Sequence, residues 1–222
     1  LSEEHKLRQT MVRVGKLMQE AELVCAGEGN LSCRLDNDRL LCTPSGLRKG
    51  DLVESDLVIV DRAGKRLRGT RSASSEIFMH LEVYNRRSDI NAVVHAHPIV
   101  ATAFTLAGRS LDIPMMPETV VVLGRIPTAP YGMPGTPELP ATLAGIIEKN
   151  DVVLLDHHGA VTCGLNLFDA YNKMETLEKT ARIALAAIQL GGIVPLPAHE
   201  VQRMVEFREK VWIPKLRAAG GY

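Results

Sequence analysis

Ala92-Val93-Val94-His95-Ala96-His97-Pro98 is an apolar run that closes on two histidines one residue apart. On a β-strand side chains alternate between faces, so His95 and His97 share one side and Ala96 takes the other. Two imidazoles on one face can reach one metal ion. Pro98 cannot donate to a ladder and favours an extended conformation at His97, which places both histidines where the strand ends. Even an open catalytic zinc site takes three protein ligands, so the pair needs a third from elsewhere in the chain.

Asp151-Val152-Val153-Leu154-Leu155-Asp156-His157-His158-Gly159 offers it. This second apolar stretch of strand type also ends in histidine, followed by a glycine that lets the chain turn. Two strands that both end in histidine are expected to be neighbours in one sheet with converging ends. Adjacent His157 and His158 point to opposite faces, so one of them is expected to bind. Three imidazoles with a fourth position open or filled by a carboxylate form the donor set of a catalytic zinc site rather than a structural one.

The remaining chain supplies small-residue loops between regular elements. Ser2 is a candidate cap for a helix with Leu7, Met11, Val14 and Met18 on one face, stopping near Gly27. Gly27-Glu28-Gly29-Asn30-Leu31-Ser32 is a tight turn that allows close approach of backbone to ligand. Strands are predicted over 31–35 and 39–43, around an Asp36-Asn37-Asp38 turn, and over 57–60. The second strand runs into a loop of small residues, Thr43-Pro44-Ser45-Gly46. A third such loop, Ser72-Ala73-Ser74-Ser75-Glu76, leads into a helix from Ile77 to Arg87 with Ile77, Leu81 and Tyr84 inward. Serines at a helix start are caps, and the same N-terminus can seat a phosphate. Glu76 is either a surface acid favoured by the helix dipole or, if it faces His95 and His97, a metal ligand or proton carrier.

Further along, 98–107 reads as a helix, 119–123 as a β-branched strand after Glu118, 137–149 as a helix capped by Thr136, and 168–190 and 199–211 as packing helices. Between them, 126–136 is too rich in Pro and Gly to be regular and presents Tyr131, which either packs its loop or enters a site. No repeat, low-complexity tract or linker interrupts residues 1–222, and one domain is expected.

Composition narrows the class. Twenty-six basic side chains balance twenty-six acidic ones, so no global field favours nucleic acid or an anionic membrane, and a small ligand fits better. No apolar segment approaches the roughly 20 residues that span a bilayer, and the charged start is unlike a signal peptide, so a cytoplasmic location is expected. Cys25, Cys33, Cys42 and Cys163 form no CxxC pair and read as reduced, mostly buried thiols.

Taken in order, Gly29-Asn30-Leu31-Ser32, Thr43-Pro44-Ser45-Gly46, Ser74-Ser75-Glu76, His95-Ala96-His97, Tyr131 and His157-His158-Gly159 resemble the class II aldolase/adducin family, in particular its L-fuculose-1-phosphate aldolase-like branch, over about residues 4–190. The resemblance implies an α/β fold, a three-layer α/β/α sandwich around a mainly antiparallel sheet. It also implies a homotetramer with sites at subunit interfaces. It makes His95, His97 and His158 the Zn2+ ligands. Gly29, Asn30, Ser45, Gly46, Ser74 and Ser75 become the cradle of a substrate phosphate. Glu76 is then the carboxylate that sits on the metal and moves aside to carry protons, and Tyr131 the tyrosine that reaches a neighbouring subunit's site.

The implied reaction is reversible cleavage of a ketose 1-phosphate into dihydroxyacetone phosphate and an aldehyde. A class I aldolase would need a lysine in a dry pocket for a Schiff base. Lys149 and Lys173 are read on helices and Lys49 and Lys65 in turns, so metal chemistry is preferred. Epimerases of this scaffold typically carry aspartate at the position of Glu76, and adducin-like assembly modules lack the histidines kept here. Dehydratase and decarboxylase activities remain open on the same scaffold. Glu118 and the C-terminal tail, with Tyr222, receive no assigned role.

Overall fold

The structure is a computed structural model describing residues 2–221. Its first helix, α1 (Glu3–Glu20), starts where the sequence places it, with the Ser2 hydroxyl accepting from the His5 amide at 3.2 Å. Met11, Val14 and Met18 are fully buried along one stripe. Burial of such side chains contributes about 1.5–3 kcal/mol each, more than propensity gives a helix of this length. The helix ends at Glu20 rather than near Gly27. Glu22 and Ala26 take left-handed backbone at φ 57° and 47°, and the segment folds back to bury Leu23 and Val24.

Eight strands form one sheet: β1 (Asn30–Arg34), β2 (Arg39–Cys42), β3 (Val58–Asp61), β4 (Arg66–Arg68), β5 (Ala92–Ala96), β6 (Thr128–Ala129), β7 (Val152–Leu155) and β8 (Gly159–Gly164). Their order is β4-β3-β2-β1-β5-β8-β7-β6, antiparallel throughout except for β6 beside β7. The expected neighbourhood of the two histidine strands is therefore one strand out. β5 pairs with β8, with Ala96 opposite Ala160, and β7 lies beyond. Convergence survives because β8 runs back from the β7 turn, bringing that turn to the end of β5.

Alternation along the strands feeds two cores. Leu31, Cys33, Val94 and Ala96 face α1, α3 (Ile99–Leu106) and α5 (Leu167–Gln189). Leu40, Val58, Val93 and Val161 face α2 (Ile77–Arg86) and α4 (Glu138–Thr142). Helices on both faces of one sheet make the three layers that the family resemblance implies.

Two further expectations fail for identifiable reasons. Thr119–Leu123, predicted as a strand, is a π-helical turn. Its carbonyls at Val121 and Val122 are taken by the Arg208 guanidinium at 2.6 and 3.0 Å, so β-branching there yields to a long-range cap. The predicted helix over 137–149 keeps regular hydrogen bonding only through Thr142 and gives way to turns, with Gly145 at φ 80°. At the C-terminus, α6 (Ala198–Phe207) passes through a π turn, Arg208–Trp212, into α7 (Ile213–Ala218) instead of forming one helix. Tyr222 lies outside the described residues. Cys33, Cys42 and Cys163 are buried free thiols, and Cys25 is exposed. Among the described residues no helix is long and apolar enough to cross a membrane.

Candidate metal centre and ligand cleft

Three imidazoles meet at the end of β5. Their ring centroids lie 4.8–5.0 Å apart, and one ligand nitrogen from each of His95, His97 and His158 falls within 4.8 Å of the others. His95 is fully buried in the strand, while His97 stands just beyond it with its amide bound to the Leu23 carbonyl at 3.0 Å. The refolded segment after α1 thus fixes His97 beside His95.

Hydrogen bonds set the tautomers. His95 Nδ1 lies 2.9 Å from the Ala160 carbonyl, which can only accept, so Nδ1 carries the proton. His97 Nδ1 lies 3.0 Å from Glu28 Oε2 and donates in the same sense. Both Nε2 lone pairs then confront each other at 3.1 Å. Two lone pairs at that distance repel unless a cation lies between them. Tetrahedral zinc with ligands at about 2.0–2.1 Å would separate its nitrogens by roughly 3.4 Å, so the donor set fits such an ion. Burial, with His95 alongside, lowers the pKa of His97 to about 4, which keeps it in the ligating form.

His158 comes from the turn between β7 and β8. His157 takes φ 54°, and its half-exposed side chain pairs with Asp156 at 2.8 Å, pointing away. Of the two adjacent histidines, His158 alone joins the cluster. Gly159 is required for a reason beyond turning. A Cβ there would lie 2.4 Å from the Ala96 carbonyl oxygen and 2.8 Å from His97 Cδ2, so glycine lets β8 approach the histidine strand.

Glu76 closes the cluster from the start of α2, with Oε1 3.1 Å from His158 Nε2 and Oε2 3.3 Å from His95 Nε2. Oε1 is buried and finds no hydrogen bond of good geometry. A carboxylate oxygen facing the His95 Nε2 lone pair at 3.3 Å calls for a cation between them, as the two imidazole lone pairs do, so Glu76 is in position to be a fourth ligand or to carry a proton.

A cleft opens beside this cluster. Gly29 and Asn30, Ser45 and Gly46, and Ser74 and Ser75 all line it, together with Glu76, His97 and His158. The second and third loops are joined by a β-bridge between Pro44 and Ala73 and by Ser45 N donating to the Ser72 carbonyl at 3.0 Å. α2 starts after Glu76 without a serine cap; the Ser74 hydroxyl instead accepts from the Glu76 amide at 3.3 Å, and Ser74 also lines the cleft. Tyr131 is 57 % exposed and lies outside the cleft of its own chain.

Three residues near this site were not singled out from sequence. Glu28 orients His97. Lys49, read as a turn lysine, is 1 % exposed, and its Nζ donates to the Gly27 and Leu47 carbonyls at 3.1 and 2.6 Å, stapling the first loop to the second. Burial lowers its pKa to about 8. Lys173 is also buried, but between Asp151 and Asp169, far from any Schiff-base role. The third is His80, whose signal was present: Glu76, His80 and Tyr84 recur every fourth residue on an otherwise apolar helix face.

The sequence profile of the class II aldolase and adducin N-terminal domain matches residues 9–185. An L-fuculose phosphate aldolase of Methanococcus vannielii is 37% identical over 172 residues, covering 78% of this chain and 92% of that protein. A 3-oxo-tetronate 4-phosphate decarboxylase of Haemophilus influenzae is 33% identical over 180 residues, covering 79% and 85%. A solved structure of L-fuculose 1-phosphate aldolase superposes with a TM-score of 0.85 at 33% identity, over 94% of this chain and 98% of that one. The chain belongs to the class II aldolase and adducin family.

Proposed function

We propose that the protein is a zinc-dependent class II aldolase that reversibly cleaves a ketose 1-phosphate, of the L-fuculose 1-phosphate kind, into dihydroxyacetone phosphate and an aldehyde. The observation that carries the reading is the Glu76 carboxyl held against two of three convergent imidazoles at the head of a cleft lined by hydroxyls and glycines.

In this reading His95, His97 and His158 hold the ion, which supplies Lewis-acid charge against the negative charge that develops on the ketone oxygen. Asn30 and the hydroxyls of Ser45, Ser74 and Ser75, with the Gly29 and Gly46 backbone, bind the phosphate and so place the ketone end towards the histidines. A base takes the proton of the C4 hydroxyl, the C3–C4 bond breaks, and its electron pair stays with the phosphorylated half as an enediolate. Glu76, a carboxylate at rest, takes up the proton released from the C4 hydroxyl and returns it to that carbon. Tyr131, on an exposed loop with Met133, assists at the aldehyde oxygen of a neighbouring subunit in a homotetramer. The enzyme would act in the cytoplasm.

Decarboxylation of a phosphorylated 3-oxo acid is the second reading, favoured by a relative of comparable identity. Both reactions break the bond next to a carbon beside the ketone and leave the same kind of enediolate, so they differ in what departs. The described residues of this chain that line the cleft include Glu28 and Glu76 but no lysine or arginine. Both carboxylates stand against the histidines, at the reacting end, where they oppose a substrate carboxylate and favour a neutral departing aldehyde, while the phosphate is met by the hydroxyls and backbone of the three loops. Glu76, where epimerases of this scaffold carry aspartate, supports the same choice over epimerisation.

The test is to incubate the metal-loaded protein with dihydroxyacetone phosphate and a panel of aldehydes, and separately with 3-oxo-tetronate 4-phosphate. New ketose phosphates that disappear on chelation are expected. Carbon dioxide from the acid with no condensation product would move the assignment to the decarboxylase.

A further inference from the structure

Behind Glu76, four buried polar side chains form one hydrogen-bonded line. Asn30 Nδ2 donates to Glu76 Oε2 at 2.8 Å, and Asn30 Oδ1 lies 2.5 Å from His80 Nε2. His80 Nδ1 lies 2.7 Å from Ser32 Oγ, which in turn lies 2.8 Å from the Tyr84 hydroxyl. The line is built by periodicity: α2 presents Glu76, His80 and Tyr84 at four-residue spacing, and β1 presents Asn30 and Ser32 at two-residue spacing on the facing side. Asn30, Ser32, His80 and Tyr84 are all buried, with His80 only 1 % exposed.

The direction of each hydrogen bond follows from its first member. Asn30 turns its amide nitrogen towards Glu76 Oε2 at 2.8 Å, which leaves its oxygen towards His80. That oxygen needs a donor, so His80 carries its proton on Nε2 and leaves Nδ1 to accept from Ser32. The serine hydroxyl, having donated, accepts from Tyr84. Every donor thus points towards the carboxylate. Rotating the Asn30 amide by half a turn would set its oxygen against Glu76 and its NH2 group against the His80 N–H, two repulsive contacts in a buried site. Burial, reinforced by nearby His95, lowers the pKa of His80 to about 3 and keeps the ring in the neutral state this order needs.

We propose that His80 is a positioning residue which, ordered by Ser32 and Tyr84, locks the Asn30 amide so that one N–H holds Glu76 beside the histidine cluster and the other faces the ligand cleft. Asn30 therefore couples the carboxylate to whatever anion occupies the small-residue loops. The inference rests on the reading of Glu76 as the working carboxylate of the proposed aldolase, but its first test needs no turnover.

Nitrogen-15 NMR of the zinc-loaded protein reads the tautomer of His80 directly. A protonated Nε2 and a bare Nδ1, unchanged from pH 6 to 9, are expected; a protonated Nδ1 overturns the proposal even if the enzyme proves to be an aldolase. The second test compares His80→Gln, which keeps one donor and one acceptor, with His80→Phe, which keeps only bulk. His80→Phe is expected to lower kcat and zinc affinity by about 10–100-fold, the effect of losing a partner behind a metal site, with KM changed little. His80→Gln should recover most of both. Equal losses in the two variants, or a loss confined to KM, would show His80 to be packing alone. Should no substrate turn over, zinc affinity by competition with a chelating dye still separates the two variants, so failure of the aldolase reading and failure of this one are distinct. Tyr84→Phe, which removes only the last donor, serves if His80→Phe does not fold and should lower zinc affinity by a smaller factor in the same direction; no change in affinity would overturn the proposal.

Discussion

Glu76 and Glu28 are both carboxylates in contact with imidazoles, yet their surroundings give them different work. Glu76 touches the ligand nitrogens of His95 and His158 and competes for the place a metal would take. Glu28 touches Nδ1 of His97, the nitrogen that faces away from the cluster, while its other oxygen accepts from the Cys25 amide at 2.6 Å. Removal of a proton carrier costs about 10²–10⁴-fold in rate, so Glu76→Gln should lower kcat by that factor while the protein remains folded; near-normal turnover would remove Glu76 from proton transfer. Glu28→Gln keeps an acceptor and loses the charge that would make His97 a better ligand in the proposed metal site. Its zinc affinity should drop by roughly 10–100-fold in a dye-competition titration. An unchanged affinity would reduce Glu28 to a loop residue. At this scale the three histidines that gather were readable in advance, because HxH and HHG patterns are local. Glu28 and Lys49 were not, since a carboxylate in a turn and a lysine in a loop are ordinarily solvated, and their partners lie tens of residues away.

At the scale of elements, the close approach of β5 and β8 places His158 beside the other two imidazoles. Gly159→Ala would drive a Cβ into the Ala96 carbonyl, and because that neighbour is backbone in a central strand it cannot move aside cheaply. Overpacking of this kind costs about 1–3 kcal/mol. A lower denaturation midpoint together with weaker zinc binding is expected, because the strand that must shift carries His95. A variant that loses stability but binds zinc normally would show that the turn places His158 without help from strand contact. The misread stretch Thr119–Leu123 teaches the opposite lesson. Its β-branched residues have strand propensity, but the Arg208 guanidinium and burial of Val120 and Leu123 hold it as a helical turn. Propensity is a weak prior wherever a distant side chain caps the backbone.

The whole molecule is tied together on the side away from the cleft by Asp151. Its carboxyl binds Arg87 at the end of α2 at 2.9 Å, Lys173 of α5 at 3.1 Å and Arg208 of the C-terminal arm at 3.5 Å. Burial would raise its pKa, but Lys173, Arg87 and Arg208 together bring it down to about 2 from an ordinary 3.8. A carboxyl whose folded pKa lies below its unfolded one contributes stability that is complete above the unfolded value and vanishes as pH falls through the folded one. Acid titration should therefore remove about 2 kcal/mol between pH 4 and pH 2. Asp151→Asn should be less stable at neutral pH and lack that component of the acid transition; a parallel pH profile in both proteins would deny Asp151 this role. Assembly is testable at the same scale. If Tyr131 serves a neighbour's site, mixing inactive Glu76→Gln and Tyr131→Phe subunits after dissociation should restore activity, because some sites then receive both intact groups. No restoration would place Tyr131 outside the reaction.

The sequence by itself determined the strand alternation, which loops are built of small residues, and which side chains could bind a cation. These follow from local periodicity and from the chemistry of single residues. Tertiary structure alone decided that β8 stands between the two histidine strands, that His158 and not His157 turns inward, and that Lys49 is buried. It also ordered Asn30, His80, Ser32 and Tyr84 behind Glu76. Strand order, tautomers and desolvation depend on groups far apart along the chain, and no local pattern encodes a partner that arrives only when the chain has folded.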